Sequence, residues 1–293
     1  KYFASSQLSD EKIAFKFSNL LSSLNFKNKI IYNNELKKNL GTSFYNIGVY
    51  TPGGVLLNPG KLIRAMVDTM PDNVDLFENT HLEKWEIVSN KIRCIFKNNE
   101  IFAKKILFCT NGFLRSLNIK KDYCFPLTLT ASLTRPLSKI EHEKIGSPKE
   151  WGVLPIRPMG ATIRMTKDKR ILIRNTAEIC NPNSFSDNNL ENRKKIHKKG
   201  IKKRFPDLPD DLIESTWSGV VCRSRNGSQI FEKINDNIFV AGCYNGSGIG
   251  TGIFFGEQIA LMALNQDSDK INIIENRVKP TKLPAEFLLN IGV

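Results

Sequence analysis

From Asn237 to Leu264 the chain passes through three hydropathy regimes: an apolar run to Ala241, a glycine-dense stretch from Gly242 to Thr251, and apolar residues at helical spacing from Gly252 to Leu264. The pattern predicts a short buried strand, a tight turn and a helix. Gly242, Gly246, Gly248, Gly250 and Gly252 permit positive φ and let backbone N–H groups approach a ligand that a Cβ would hold off. Free N–H groups at a helix start, with the positive end of the helix dipole, favour phosphate or any atom that gains negative charge. The spacing lacks the third glycine of a dinucleotide fingerprint, so a plain strand-to-helix turn is the competing reading. After the helix only one short strand, Ile271 to Ile274, is predicted before a proline-punctuated tail. That leaves no room for a second crossover helix and a third strand, so the segment reads as the closing half of a site begun upstream.

Upstream, apolar spacing predicts helices over Asp10–Leu24 and Asn34–Leu40, and a third over Pro59–Met70 with Asn58 as its cap. Within Gly48–Pro59, Pro52, Gly53 and Gly54 form a turn between short extended pieces. Val74–Glu78 reads as a strand, Leu82–Val88 and Ile92–Phe96 as a hairpin, and Ile101–Cys109 as a strand ending on Thr110, Asn111 and Gly112. The carboxyl end of a strand in an α/β sheet is where ligands sit. From Tyr123 longer alternating strands follow at 127–134, 151–155, 162–165 and 170–174, a mixed sheet with one covered face. Arg157, Arg164 and Arg174 lie on or beside these strands, and any of them could clamp a carboxylate. Asn189–Arg204 is a basic helix with Ile196, Ile201 and Phe205 as its buried stripe, interrupted at Gly200. Glu214–Val221 leads into a polar turn, Cys222–Gly227.

The 293 residues carry a formal charge of +14, which raises nucleic acid as a partner. The excess lysine is scattered and no aromatics interleave with it for base stacking, so no nucleic acid is expected. The six cysteines and three histidines show neither metal-ligand spacing nor a disulfide framework, so no metal is expected and a reducing, cytoplasmic setting is the default. No apolar run reaches the length of a membrane span. The chain opens on Lys1 rather than methionine.

Three ordered blocks, TPGGVLLNPGKL, the strand ending FCTNG, and ESTWSGV followed by NIFVAGCYNGSGIGTG and GEQIA, resemble the D-amino-acid oxidase and glycine/sarcosine oxidase superfamily of FAD-dependent oxidoreductases. The tail TKLPAEFLLNIG is similar to the way many members end. The resemblance implies a mixed α/β (α+β) fold, a glutathione-reductase-type FAD domain interleaved with a mixed-sheet substrate domain. The opening strand, GxGxxG turn and helix that hold the ADP half of FAD are not found, so the FAD domain is expected to lack its first βαβ and the sequence to be N-terminally truncated. The expected domains are 1–122 (remainder of the FAD domain), 123–236 (substrate domain), 237–268 (closing strand, loop and helix) and 269–293 (tail). This chain alone is expected to hold FAD poorly, and a flavin band that survives gel filtration would contradict that.

By the same resemblance, Gly242, Asn245, Gly246, Ser247, Gly248, Ile249 and Gly250 lie against the isoalloxazine and ribityl chain. Thr110, Asn111 and Gly112 lie near the diphosphate, and Gly53 and Gly54 near the ring. The implied reaction is hydride transfer from a carbon bearing an amine to the flavin, giving an imine that water hydrolyses, with no obligatory acid-base residue. Substrate contacts implied are Arg223, Ser224 and Asn226, with an arginine of the sheet, Arg164 among the three candidates, for a carboxylate. Cys222 lies near the region where some members attach flavin covalently, but a buried structural cysteine is the expectation. The implied partner is a small amine or amino acid, with the electron acceptor open. The alternative is a non-catalytic subunit of the same fold that binds a partner through its basic surface.

Overall fold

The computed structural model describes residues 1–157, 160–184 and 186–284. In chain order these form β1 (Tyr2–Ser5), α1 (Glu11–Ser23), β2 (Lys29–Tyr32), α2 (Asn33–Leu40), β3 (Ile47–Tyr50), α3 (Pro59–Asp68), β4 (Lys84–Val88), β5 (Lys91–Phe96), β6 (Asn99–Ala103) and β7 (Ile106–Phe108). There follow β8 (Phe125–Thr134), α4 (Lys139–Lys144), β9 (Trp151–Pro155), β10 (Thr162–Met165), β11 (Ile171–Ile179), α5 (Leu190–Arg204), β12 (Ile213–Arg223), β13 (Ile230–Asn235), β14 (Ile238–Gly242), α6 (Gly248–Ala263) and α7 (Asp269–Glu275). The chain packs as two units, one of residues 1–58, 129–177 and 186–219, the other of residues 59–128, 178–184 and 220–284. Packing thus groups residues 1–58 with the mixed sheet rather than with residues 59–122.

The first unit is built on a mixed sheet of order β12-β8-β11-β10-β9-β1-β3-β2. β1 runs parallel to β9 and antiparallel to β3, which places the first residues of the chain inside the sheet. Sequence periodicity does not reveal β1 or β2, because each is only four residues long, whereas β3 falls on the short extended piece expected before the Pro52–Gly54 turn. Tyr2, Ala4 and Ile31 face a core shared with Leu36 and Leu40 of α2 and Ile201 of α5, while Ile47 and Val49 face Ala14 of α1 on the other side. Gly48 allows this layering: a Cβ there would lie 3.1 Å from the Phe3 carbonyl and 3.3 Å from Leu36.

α5 corrects the expected stripe. Ile201 and, just past the helix, Phe205 are buried as expected, but Ile196 is exposed; the other buried positions are Arg193 and His197, and the helix runs through Gly200 without a break. The reason is the surface beneath it. Thr130 and Ser132 on β8 are fully buried hydroxyls. Ser132 Oγ lies 2.8 Å from His197 Nδ1 and 2.8 Å from Thr216, and Arg193 donates to Ser218 at 3.1 Å. A polar helix stripe therefore meets a polar strand stripe. Burial pushes the His197 imidazole down to about 4 from 6.5, so it is neutral in the folded protein. Between those values the unfolded chain takes up a proton that the folded chain refuses. Stability is therefore full above about pH 6.5 and declines towards pH 4, by about 2–3 kcal/mol in total. Urea unfolding at several pH values between these limits should show the decline, and His197→Asn should flatten it.

The second unit holds the strand-loop-helix element. β14 is buried at all five positions, runs parallel to β7 and antiparallel to β13. One face of β14, Phe239 and Ala241, packs on Phe255, Ile259 and Ala263 of α6; the other, Ile238 and Val240, packs on Phe108, Ile92 and Leu114. β4, β5 and β6 form a separate antiparallel meander.

Three sequence expectations fail here. Residues 74–78 form no strand. The strand expected over 101–109 is two, β6 in the meander and β7 beside β14; they part at Lys104, whose carbonyl is taken by the Asn237 side chain at 2.6 Å. Ile271–Ile274 is helical, because Ser268 caps the Lys270 N–H and Ile271 and Ile274, three apart, bury on one side. Among the described residues no helix is long and apolar enough to cross a membrane.

Candidate functional site

β14 ends at Gly242, where glycine serves close packing rather than positive φ: a Cβ would sit 2.8 Å from Leu114 and 3.4 Å from the Asn111 backbone. The left-handed positions of the turn fall instead on Cys243 (φ 55), Asn245 (φ 53) and Gly246 (φ 91). Asparagine tolerates that region and glycine pays nothing for it, whereas cysteine there is held by its surroundings. α6 begins at Gly248, four residues before the position the hydropathy pattern indicated, so Gly248, Gly250 and Gly252 are helical and not turn residues.

Side chains tie this turn down. Asn245 Oδ1 accepts the Ser224 N–H at 3.0 Å, and its Nδ2 donates to the carbonyls of Cys243 at 2.9 Å, Gly227 at 3.0 Å and Ser228 at 3.2 Å. The Asn245 N–H donates to Cys222 O at 3.2 Å. Asn111, itself at φ 43, accepts the Tyr244 N–H through Oδ1 at 3.3 Å. The turns that follow β7 and β14, two parallel neighbours, are thereby joined. Gly112 lies under Val220, where a Cβ would come within 2.7 Å. Thr110 is exposed beside them. Burial pushes the Tyr244 hydroxyl up to about 12, with the nearby Cys109 adding to it, so it stays protonated.

The start of α6 is left open. Ser247, at the N-cap, makes no capping hydrogen bond, and Gly246 to Gly250 are exposed. A Cβ added at Gly246 or Gly250 would meet nothing within 4 Å. First-turn N–H groups have no partner inside the helix. With no side chain capping them, they present partial positive charge to whatever occupies the space in front.

The other expected residues divide between the units. Ser224 is buried and spends its hydroxyl on Ser228 O at 2.7 Å; Asn226 holds the segment after α7 through Lys279 O at 2.9 Å; Arg223 is exposed. These shape or flank the turn that Asn245 grips. Gly53 (φ 77), Gly54 and Arg164 belong to the first unit. There Arg157 is held by Asp10 at 2.6 Å and Arg174 donates to Thr162 at 2.6 Å. Arg164, on β10, is half-buried, its pKa is lowered by desolvation, and it has no partner among the described residues. Cys222 is fully buried against Cys124 and Cys243. Sequence reasoning missed Cys243 and Tyr244, for which the only local signal was the Asn245-Gly246 pair.

The model of the family described as FAD dependent oxidoreductase (DAO) matches residues 5–262. The chain is 23% identical over 256 residues to the probable oxidoreductase OrdL of Rhizobium meliloti, an alignment covering 86% of this chain and 56% of that protein. In fold it is similar to glycine oxidase from Geobacillus kaustophilus, with a TM-score of 0.75 at 13% identity over 92% of this chain and 71% of that one. It is also similar to iminodiacetate oxidase from Chelativorans sp. BNC1, with a TM-score of 0.74 at 14% identity over 92% and 72%. The chain thus spans little more than half the length of the curated relative. With the family model matching most of its length, the chain belongs to the FAD-dependent oxidoreductases of the D-amino-acid oxidase type.

Proposed function

We propose that the protein oxidises a C–N bond of a small amine or amino acid, and that the loop from Gly242 to Gly250 holds the flavin ring. The uncapped, exposed N-terminus of α6 carries this reading. FAD supplies a two-electron acceptor whose ring gathers negative charge on reduction. The first-turn N–H groups of Gly248, Ile249 and Gly250 stabilise that charge without reorganising. Asn245 keeps them in place by fixing the turn, and Asn111 ties the same turn to the segment Thr110–Gly112, proposed for the phosphate side. Gly53 and Gly54 are cofactor candidates by resemblance. Arg164, desolvated and unpaired among the described residues, is proposed to receive a carboxylate, and exposed Arg223 flanks the turn held by Ser224 and Asn226. Glycine oxidase and iminodiacetate oxidase, by their names, oxidise compounds of this class. A cytoplasmic setting belongs to the same proposal, as does an FAD domain formed by residues 59–122 with the closing strand, loop and helix of residues 237–268.

The test is anaerobic. FAD-loaded protein is mixed with a panel of small amino acids and N-substituted amines, and the flavin absorbance is followed. Bleaching by at least one of them is expected. A loaded protein that stays yellow across the panel would overturn the oxidase reading and favour the non-catalytic subunit.

A further inference from the structure

Three of the six cysteines meet in one place. Cys124 precedes β8, Cys222 lies near the end of β12 and Cys243 follows β14; all three are at most 1% exposed and share one core cluster. Each thiol interacts directly with the other two, Cys124 also reaches Lys120 O at 3.6 Å, and Cys243 contacts the Ser224 hydroxyl. The Arg115 guanidinium acts on Cys124 from nearby. Cysteines that merely fill a core need no mutual contact and no cation. Cys94, in the same core, is buried without such thiol partners, and Cys109 is exposed. All six are free thiols.

We infer that Cys124, Cys222 and Cys243 form a peroxide-responsive modification site in which Cys124 reacts first and closes a disulfide with Cys222 or Cys243. The assignment of Cys124 follows from its surroundings. Two thiol donors and a guanidinium favour its anion against the opposing effect of burial, while the neighbouring thiols and burial push Cys222 and Cys243 up. The thiolate is the nucleophile, and it acts best with a resolving thiol beside it. Its sulfur attacks one oxygen of hydrogen peroxide, the O–O bond breaks, and hydroxide leaves and takes up a proton as water. The Cys124 sulfenic acid is then attacked by the neighbouring thiol; the S–O bond breaks, a second water leaves and the S–S bond forms. Two thiols are oxidised by two electrons, and one peroxide is reduced to two waters.

The site has a structural reach of its own. Cys243 is the first left-handed residue of the turn, and the Cys222 carbonyl accepts the Asn245 N–H. A disulfide at Cys243 would therefore alter the turn that Asn245 fixes; this consequence for the cofactor rests on the flavin assignment above, while the thiol chemistry does not.

The test reads the polypeptide. The whole protein is exposed to graded hydrogen peroxide, unfolded in N-ethylmaleimide, digested with trypsin and weighed. The expected product is a peptide from the segment around Cys124 joined to that around Cys222 or Cys243, two hydrogens lighter than the sum and separated by dithiothreitol, with Cys94 still alkylated. Cys109→Ser should leave its yield unchanged. If the native protein keeps all three cluster thiols alkylatable at peroxide levels that consume Cys109, or if cross-linking appears only when peroxide is added after unfolding, the inference is wrong. Neither result bears on the amine-bleaching experiment, so the two readings fail separately.

Discussion

Replacing Gly250 with aspartate is expected to move folding stability and flavin affinity in opposite directions. Gly250 lies in the first turn of α6 and a Cβ there meets nothing within 4 Å, so the side chain is accommodated. Aspartate in a first turn gains from the helix dipole and is a better helix former than glycine; together these add about 0.5–1 kcal/mol of stability. The same carboxylate would stand where the ring's electron-rich edge is proposed to lie. FAD affinity should fall about thirtyfold, or about 2 kcal/mol, through lost N–H contacts and like-charge repulsion. Gly250→Asn, with similar size and no charge, should lose far less. Urea midpoints and flavin fluorescence titrations on the two variants provide the measurement. If Gly250→Asp gains stability with FAD affinity unchanged, the start of α6 does not face the flavin.

Asn245→Ala is expected to destabilise the second unit by about 3 kcal/mol. The substitution strips the buried Ser224 N–H of its acceptor and three carbonyls of a donor, a loss of about 1–3 kcal/mol for the buried donor. Alanine at φ 53 adds about 1 kcal/mol of backbone cost. Asn245→Gly removes the same hydrogen bonds but not the backbone freedom, so it should cost about 1 kcal/mol less than alanine. Denaturation midpoints of the two variants separate the contributions. Equal losses would show that the left-handed conformation relaxes freely and that the turn is less fixed than its hydrogen bonds indicate.

The hydropathy pattern pointed to the correct stretch for the site but assigned its parts differently. A run of glycines looks like a run of positive φ, yet only Gly246 among those five has it, because the helix starts early and glycine at Gly242 answers a packing demand from Leu114. What makes Cys243 and Asn245 left-handed is a set of hydrogen bonds to Ser224, Gly227, Ser228 and, 133 positions away, Asn111. No local pattern encodes those. β9 and β10 were readable to the residue, since their apolar residues at every second position, Trp151 and Val153, Ile163 and Met165, are all buried. α5 was readable as a helix but not for its orientation, because a buried histidine and arginine facing strand hydroxyls look like a solvated side to any count of apolar residues. Ile271–Ile274 shows the converse: β-branched composition suggested a strand, and a serine cap with three-residue spacing made a helix.

The parallel pairing of β7 with β14 bears on biosynthesis. β7 emerges from the ribosome without the neighbour it hydrogen-bonds to, and the segments 129–177 and 186–219 of the other unit are made before β14 appears. Closing so long a loop is slow, and an unpaired apolar strand is exposed to aggregation meanwhile. Cotranslational maturation should therefore be limited by arrival of β14 and α6, and nascent chains stalled before Ile238 should depend on chaperones that chains extended past α6 no longer need.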